Sequence, residues 1–403
     1  MRFSFLRILS AIIILNTFCS LDTQGQSQAE KGLPFIRNYV AKDYNGNPQN
    51  WCVIEDSSGL MYFGNEGYLL QYDGIKWKKI FFPGAMAVAL RSLDQDKSGQ
   101  IFYGSTGDFG YLAKDSLGQT QQYSMKKFLP DSAKEFFDVW STHATDKGIY
   151  FQARERIFRV EKDQAGHVRE KEIKSWKPTT KYMYTFYLDG VFYVHQLGLG
   201  LFKMINDSLQ LIPGSEFLGK ERMQVMLPYA TADGNNGNPG GKQYLVGLFY
   251  TGLYLFDGKS FRPFKTEADP IIKNATLYKG VTLKDGTFAL STTGKGVVII
   301  DHAGKILKVI NRDVGLQDES VYGMYFDHKG FLWLALDNGI SRVETSSPMT
   351  TFGIQSGINT ASLSINRFEG TLYLGTTNGL LRLNQSNGKF EEVTGIPLTQ
   401  VFT

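Results

Sequence analysis

Residues Glu369–Leu383 read EGTLYLGTTNGLLRL and form the clearest copy of a unit that the chain repeats. The first half, Thr371–Gly375, alternates small or aromatic residues with leucine, as a buried strand does. Asn378-Gly379 is a dipeptide typical of tight turns, and Leu380–Leu383 resumes the strand. The stretch therefore predicts a β-hairpin, and the rest of the chain is organised around copies of it.

Seven further copies align on the residue that Gly375 occupies. The anchor positions are 64, 104, 152, 195, 247, 291, 335 and 375, which lie 40 to 52 residues apart. Each copy has one strand before the hairpin, joined by a turn such as Asp285-Gly286, and another strand after it. Four short strands in a period of this length are typical of a propeller blade. Residues 50–396 are therefore predicted to be all-β, a β-propeller of four-stranded antiparallel blades, with seven or eight blades.

The anchor residue is small in six of the eight copies, which suits a strand crowded toward a central channel. The third and fourth copies break this rule with Gln152 and His195, so these two polar side chains are expected to face the channel. A segment rich in Gly and Asn, Thr231–Lys242, lengthens the fifth interval and is predicted to be an extended hairpin loop.

The N-terminal residues have the features of an export signal. Arg2 and Arg7 precede the apolar run Ile8–Leu15, and small residues follow up to Ala29. Residues 1–29 are therefore predicted to be a signal peptide, and the mature protein is expected in the periplasm or outside the cell. A retained anchor is the alternative, although the apolar run is shorter than the roughly 20 residues of a membrane span. A lipid anchor on Cys19 is a further alternative.

The two ends of the repeat region are predicted to be short. Residues 30–49 form a lead-in to the first blade, and residues 397–403 resemble the start of a further blade. The sequence Gln400-Val401-Phe402 corresponds to Ser320-Val321-Tyr322, with which the seventh copy begins. The chain is therefore interpreted as a truncated product or a fragment of a longer protein.

Composition excludes several classes of protein. Without residues 1–29 the formal net charge is +3, which marks no nucleic-acid surface. Cys52 is then the one remaining cysteine, so no internal disulfide can form and stability must come from packing. Because its neighbours read as a strand, Cys52 is predicted to be a small buried apolar residue.

The sequence shows no constellation for a metal ion, a cofactor or catalysis. Asp94–Gly99 has the alternating oxygen ligands of a calcium loop, but Ser105 stands where the closing glutamate belongs, so a hairpin turn is preferred. The five histidines are scattered singly, without the spacing of a zinc site. No catalytic, metal-binding or cofactor-binding residues are assigned.

The pattern Leu-Trp/Tyr-Leu-Gly/Ala-x-x-Asn-Gly-Ile/Leu-x-Arg occurs at Leu332–Arg342 and at Leu372–Arg382. It resembles the two-component regulator propeller repeat, and weaker copies extend the similarity over most of Asn50–Leu383. The resemblance implies an extracytoplasmic sensory region followed by an immunoglobulin-like domain, one membrane span and a cytoplasmic histidine kinase or helix-turn-helix DNA-binding domain. It therefore favours a periplasmic ligand-sensing module whose protein partner or second copy is engaged through those downstream domains.

The sequence is also compatible with two other functions. The chain could be a stand-alone secreted propeller that serves as a protein-interaction platform. It could also be an enzyme, because some propellers are lyases or glycosidases, although the residues show no catalytic pair.

The candidate ligand-binding residues come from the two copies that break the small-anchor rule. Aromatic and arginine side chains there suit a small polar ligand, such as an oligosaccharide or a carboxylate. The competing interpretation is that the aromatic residues belong to blade cores and the arginines to the solvated rim. The candidates are Trp140, Arg154, Arg156, Tyr182, Tyr184 and His195.

The export signal is tested by the intact mass of the mature protein. The segment has a positively charged N-terminal region, an apolar run and small residues at the cleavage site. Because these are the three parts of a cleavable signal peptide, we expect the exported protein to lack residues 1–29. Mass spectrometry of protein recovered from the periplasm measures this directly. A mass that includes Met1 to Ala29 would show that the segment is retained.

Overall fold

The computed structural model describes residues 30, 32–82, 88–229, 242–396 and 399–402. The predicted signal peptide lies outside these residues, and so does the predicted loop at Thr231–Lys242 except for Lys242. The chain divides into two compact units, Ile36–Ser346 and a second unit that combines residues up to Phe35 with Ser347–Thr403. In the described part of the chain, no helix has the length and hydropathy that a membrane crossing requires.

The larger unit contains seven four-stranded antiparallel sheets, which we number as blades 1 to 7. Blade 1 contains β2 (Asn50–Glu55), β3 (Met61–Asn65), β4 (Tyr68–Tyr72) and β5 (Trp77–Phe81). Blade 2 contains β6 (Leu90–Gln95), β7 (Ile101–Ser105), β8 (Asp108–Lys114) and β9 (Thr120–Ser124). Blade 3 contains β10 (Val139–Thr145), β11 (Gly148–Ala153), β12 (Ile157–Lys162) and β13 (Val168–Trp176).

Blades 4 to 6 repeat this order, and blade 7 takes its outermost strand from the start of the unit. Blade 4 contains β14 (Lys181–Leu188), β15 (Val191–Leu197), β16 (Gly200–Ile205) and β17 (Ser208–Leu211). Blade 5 contains β18 (Met223–Tyr229), β19 (Gln243–Leu248), β20 (Leu253–Phe256) and β21 (Phe261–Phe264). Blade 6 contains β22 (Leu277–Thr282), β23 (Phe288–Thr292), β24 (Val297–Ile300) and β25 (Ile306–Ile310). Blade 7 contains β26 (Val321–Phe326), β27 (Phe331–Leu336), β28 (Ile340–Glu344) and β1 (Ile36–Tyr39).

Helical segments are short and connect the strands. The α-helices are α1 (Ala41–Tyr44) and α2 (Asp269–Ala275). The 3₁₀ turns are Lys126–Phe128, Asp131–Ala133, Glu216–Lys220, Arg312–Val314 and Ile354–Ser356. The prediction of an all-β propeller with four antiparallel strands per repeat is confirmed.

The seven blades of the larger unit form a closed ring. The first strand of each blade contacts the first strand of the next, and β26 of blade 7 contacts β2 of blade 1. Seven hydrophobic clusters fill the seven interfaces between neighbouring blades. The second strand of a blade, such as β3 or β27, is apolar along nearly its whole length because both of its faces are covered by neighbouring blades.

The ring is closed by β1, which lies far from its partner in sequence. β1 pairs antiparallel with β28, with Ile36 opposite Val343 and Tyr39 opposite Ile340. The Tyr39 ring stacks on Trp333 of blade 7 with a centroid distance of 5.9 Å, and it also meets aromatic rings of blade 1. The first and last blades of the ring are therefore joined through a strand and a buried aromatic side chain.

The small anchors are crowded from two sides, by the channel-lining first strand of their own blade and by the next blade. A Cβ added to Gly64 would lie 2.5 Å from the carbonyl oxygen of Leu90, where blade 2 begins. A Cβ added to Gly104 would lie 2.5 Å from a methyl carbon of Val139, where blade 3 begins. The anchor is on the second strand of its blade, whose faces point at neighbouring blades, and this explains why it is small.

The segment Asp94–Gly99, whose sequence resembles the start of a calcium loop, forms a hairpin turn. Asp96 Oδ1 accepts hydrogen bonds from the backbone N–H groups of Ser98 (2.9 Å) and Gln100 (3.1 Å). Asp96 Oδ2 accepts a hydrogen bond from Lys162 Nζ of blade 3 at 3.2 Å. Within the described ranges, no group of three or more His, Cys, Asp or Glu side chains is arranged to hold a metal ion.

The eighth repeat forms a four-stranded sheet of its own in the smaller unit. Its strands are β29 (Ser362–Phe368), β30 (Thr371–Thr376), β31 (Gly379–Asn384) and β32 (Lys389–Glu392). The apolar side chains Ile365 and Phe368 of β29 are 62% and 64% exposed, whereas most residues on the first strands of the ring are buried or half-buried. The backbone N–H of Val401 donates to Thr376 O at 3.0 Å. That this segment starts a further blade stays a prediction.

Amide hydrogen exchange distinguishes the eighth blade from the ring. We expect lower protection in Leu372–Leu383 than in Leu332–Val343, because β29 exposes apolar side chains and one free edge, whereas blade 7 is packed on both faces. The control is Met61–Tyr72 of blade 1, which should be protected as strongly as blade 7. Equal protection in all three segments would contradict the assignment of a seven-bladed ring with a separate eighth blade.

Candidate functional site

A β-bulge interrupts the first strand of every blade in the ring, near its N-terminal end. A bulge leaves one residue without a partner in the ladder and re-aims its side chain. An unpaired residue from each of the seven described blades lines a central cavity of about 290 Å³. We call these residues the mouth ring: Trp51, Arg91, Trp140, Tyr184, Gln224, Tyr278 and Tyr322.

The five aromatic members of the mouth ring contact one another. Trp51 stacks on Tyr322 with a centroid distance of 4.6 Å, and Tyr322 meets Tyr278 edge-on at 5.2 Å. Trp140 lies between Trp51 and Tyr184, with centroid distances of 6.4 Å to each. The Tyr184 and Tyr278 hydroxyl groups are hydrogen bonded, and burial raises the pKa of both phenols. The rings therefore hold each other in place as a nearly continuous aromatic wall.

Arg91 is fixed between two tryptophans of this wall. Its guanidinium carbon lies 3.7 Å from the centre of the Trp51 ring system and 4.9 Å from that of Trp140. Arg91 Nε lies 3.2 Å from a carboxylate oxygen of Asp138, and both side chains are mostly buried. Because stacking and the ion pair both restrain it, Arg91 orients the two indole rings.

Several buried polar atoms at the mouth have no hydrogen-bond partner within the described chain. The Gln224 side chain is 3% exposed, and neither its amide nitrogen nor its amide oxygen is bonded. Three further buried nitrogen atoms also have no hydrogen-bond partner: Trp51 Nε1, Arg91 Nη1 and Arg154 Nε. An unpaired buried polar group costs about 1–3 kcal/mol, so these atoms favour the binding of a polar molecule.

Titratable side chains on the same first strands complete the cavity lining. Burial raises the pKa of Asp94 to about 6 and that of Cys52 to about 12. Burial also lowers the pKa of His143 to about 4, and its Nε2 lies 3.0 Å from the carbonyl oxygen of Thr185. Lys279 is exposed to the cavity, yet the surrounding blades enclose it, and this enclosure lowers its pKa. Lys279 forms no ion pair with the described residues.

The structure brings together three of the six residues that the sequence singled out. Trp140 and Tyr184 belong to the mouth ring. Arg154 follows β11 and extends over the Trp140 ring, with its guanidinium carbon 5.1 Å from the ring centroid. Their role in ligand binding stays a prediction, but their positions suit it.

The other three candidates lie away from the cavity. Tyr182 is 1% exposed and packs in the cluster between blades 3 and 4. Arg156 donates hydrogen bonds to Ser175 Oγ and to the backbone oxygen of Ser132, both outside the cavity lining. The interpretation that aromatic and arginine side chains serve the blade core and the rim therefore describes Tyr182 and Arg156.

His195 and Gln152 do not face the channel, so that expectation is corrected. The His195 ring is fully buried, and its Nε2 lies 2.9 Å from the backbone oxygen of Leu218. Gln152 is also fully buried and accepts a hydrogen bond from Ser141 Oγ at 3.1 Å. Both are anchor residues on second strands, whose side chains point toward neighbouring structure and not toward the axis.

Sequence reasoning missed most of the mouth ring. A signal was present, because Trp51, Arg91, Tyr278 and Tyr322 stand at the same distance before the small anchors of their repeats. The distance is shorter in blades 3 and 4 and longer in blade 5, so the spacing does not identify Trp140, Tyr184 and Gln224. The residues that were missed are Trp51, Arg91, Gln224, Tyr278 and Tyr322 of the mouth ring, together with Lys279 of the cavity lining.

Comparison with known proteins identifies fold relatives. No family model matches the sequence, and no curated protein matches it. Among solved structures, the extracellular domain of BT3049 from B. thetaiotaomicron, described as a hybrid two-component system, is similar with a TM-score of 0.60 at 16% identity. That match covers 89% of this chain and 49% of the other. The chain has the fold of this extracellular domain.

Two further structures show how widely the fold is used. The extracellular domain of BT4673 from B. thetaiotaomicron, also described as a hybrid two-component system, matches with a TM-score of 0.58 at 17% identity, covering 87% of this chain and 46% of the other. Virginiamycin B lyase from Staphylococcus aureus matches with a TM-score of 0.55 at 12% identity, covering 77% and 98%. The chain therefore spans about half the length of the two extracellular domains from B. thetaiotaomicron.

The structural role of Arg91 is tested by substitution. We expect Arg91→Ala to lower the free energy of unfolding by about 2 kcal/mol, because it removes a desolvated cation–π stack and leaves Asp138 without its partner. Urea unfolding followed by tryptophan fluorescence measures the change. The control is Arg169→Ala, which removes an exposed ion pair with Glu172 and should change stability by less than about 1 kcal/mol. Equal effects of the two substitutions would contradict the role given to Arg91.

Proposed function

We propose that this chain is the ligand-sensing propeller of a periplasmic receptor in a signal-transduction pathway. A small polar ligand, such as an oligosaccharide, binds at the mouth ring. The histidine kinase or DNA-binding effector that reports binding lies in a part of the protein outside these residues. The proposal combines the predicted export signal, the repeat resemblance and the geometry of the cavity.

The mouth ring carries this proposal. The flat faces of aromatic rings stack on the C–H faces of sugar rings, while unpaired polar groups such as the Gln224 amide bind hydroxyl groups. The cavity volume of about 290 Å³ is close to the lower end of the range for small-molecule sites, about 300–1,000 Å³, and suits one or two sugar units. Aromatic platforms around a polar centre therefore favour a saccharide over a purely apolar ligand.

The fold comparison supports a sensor role, whereas the kind of ligand is inferred from the residues of the cavity. The two ectodomains from B. thetaiotaomicron belong to proteins described as hybrid two-component systems. The match to virginiamycin B lyase is at 12% identity and concerns the fold. A binding module accounts for the described cavity without assigning a catalytic group.

Binding is measured on the mature protein with a panel of oligosaccharides from plant and animal polysaccharides. A thermal-shift screen selects ligands, and isothermal titration calorimetry gives their affinities. We expect Trp140→Ala to weaken binding of a selected oligosaccharide at least tenfold, because the largest stacking face on that side of the cavity is lost.

The matched control is Phe81→Ala, since Phe81 is an aromatic residue on the outermost strand of blade 1 and is 60% exposed. This variant should bind like the wild type. If Trp140→Ala also binds like the wild type, the ligand lies elsewhere. Cleavage of the selected oligosaccharide by the protein, detected by chromatography, would identify an enzyme instead of a sensor.

A further inference from the structure

Four cationic side chains lie around the Tyr184 phenol at the mouth: Arg91, Arg154, Arg222 and Lys279. Arg91, Arg154 and Arg222 all act on the Tyr184 phenol, where their charge opposes the rise in pKa that burial causes. The Lys279 amino group lies 5.9 Å from the centre of the Tyr184 ring. Arg91 is paired with Asp138, whereas Arg154, Arg222 and Lys279 form no ion pair with described residues.

The carboxylates around the mouth already have partners. Asp138 forms an ion pair with Arg91 and accepts a hydrogen bond from the hydroxyl of Thr106 at 2.6 Å. Asp337, a neighbour of Tyr322, accepts a hydrogen bond from Gln49 at 2.5 Å. Asp318 lies 3.6 Å from Arg312, and Glu221 accepts from the backbone N–H of Tyr250 at 2.6 Å. Asp94, which lines the cavity, accepts from the backbone N–H of Ala144 at 2.7 Å. Within the described residues, none of these acidic groups forms an ion pair with Arg154, Arg222 or Lys279.

Most of the unpaired polar atoms at the mouth are hydrogen-bond donors, which favours a ligand rich in acceptors. Trp51 Nε1, Arg91 Nη1, Arg154 Nε and Gln224 Nε2 are N–H donors, and the Gln224 amide oxygen is the one acceptor among these mouth atoms. A neutral sugar hydroxyl brings one donor and two lone pairs, whereas a carboxylate or sulfate brings acceptors only. A surplus of donors next to unpaired cations is satisfied best by an anion.

We propose, building on the proposed function, that the ligand is an acidic one: a sugar ring that carries a carboxylate or a sulfate group. Arg154 determines this specificity, since it is unpaired, stacks on Trp140 and has a buried N–H without an acceptor. Arg222 and Lys279 add attraction, and Trp140 provides the stacking face for the ring. Arg91 positions the two tryptophans and is not the anion-binding group, because Asp138 already neutralises it.

The first experiment compares ligands that differ only in charge. Calorimetry measures binding of a uronic-acid oligosaccharide before and after reduction of its carboxyl groups to alcohols, and of a sulfated oligosaccharide before and after desulfation. We expect at least a tenfold loss of affinity on removal of the charged group that the site recognises. The pair that shows the loss distinguishes a carboxylate from a sulfate.

The second experiment uses two arginines from one turn. Arg154→Gln should weaken binding of the acidic oligosaccharide about tenfold or more, because a hydrogen bond between charged groups is lost, and it should leave binding of the neutral form within about twofold. Arg156→Gln is the control, since its side chain is bonded to Ser175 and Ser132, and it should bind like the wild type. Arg154→Lys, which keeps the charge, should recover part of the affinity. Thermal unfolding confirms that each variant is folded.

The outcomes separate this inference from the proposed function. Equal affinity for the acidic and neutral forms, with loss of both in Trp140→Ala, would overturn the acidic ligand and keep the sensor site. Equal effects of Arg154→Gln and Arg156→Gln would overturn the assignment of Arg154. If no member of any pair binds, the saccharide-sensing function fails, and this inference fails with it.

Discussion

Closure of the ring by β1 is the constraint on which the rest of the structure depends. A single blade has two apolar faces, and it is stable only when a neighbour covers each of them. β1 supplies the last strand of blade 7, and Asn50 of blade 1 donates a hydrogen bond to the backbone oxygen of Gly339 at 3.0 Å across the same seam. Every interface between blades, and the cavity that they enclose, requires this contact between distant parts of the chain.

The closed ring explains why the functional residues differ so much from blade to blade. Residues in the ladders are restrained by their strand partners, and residues in the seven hydrophobic clusters are restrained by packing. A bulge residue is restrained by neither, so its identity is free to serve binding. The same backbone feature thus presents an indole at Trp51, a guanidinium at Arg91 and an amide at Gln224 to one cavity.

Unpaired buried polar groups are concentrated around the cavity, although a few occur in other parts of the fold. A fully bonded example is Asn65, whose amide nitrogen donates to oxygen atoms of Asn47, Gln49 and Asn50. At the mouth, the Gln224 amide is buried without a partner, which lowers the stability of the unliganded protein. Local departures of this kind are expected where a protein binds something, because the ligand completes the missing interactions.

The sequence by itself determined the repeat, its four antiparallel strands and the turn chemistry, because these depend on local alternation and on dipeptides such as Asn378-Gly379. It also singled out Trp140, Arg154 and Tyr184, which the structure places close together at the mouth. Only the tertiary structure decided that the ring closes with seven blades, since β1 and β28 are about 300 residues apart in the chain. Only the tertiary structure likewise showed that His195 contacts the 3₁₀ turn before blade 5, while Gln224 lines the central cavity. The bulges and the neighbouring sheets set the direction of a side chain on a strand. The spacing of one repeat predicts neither of them.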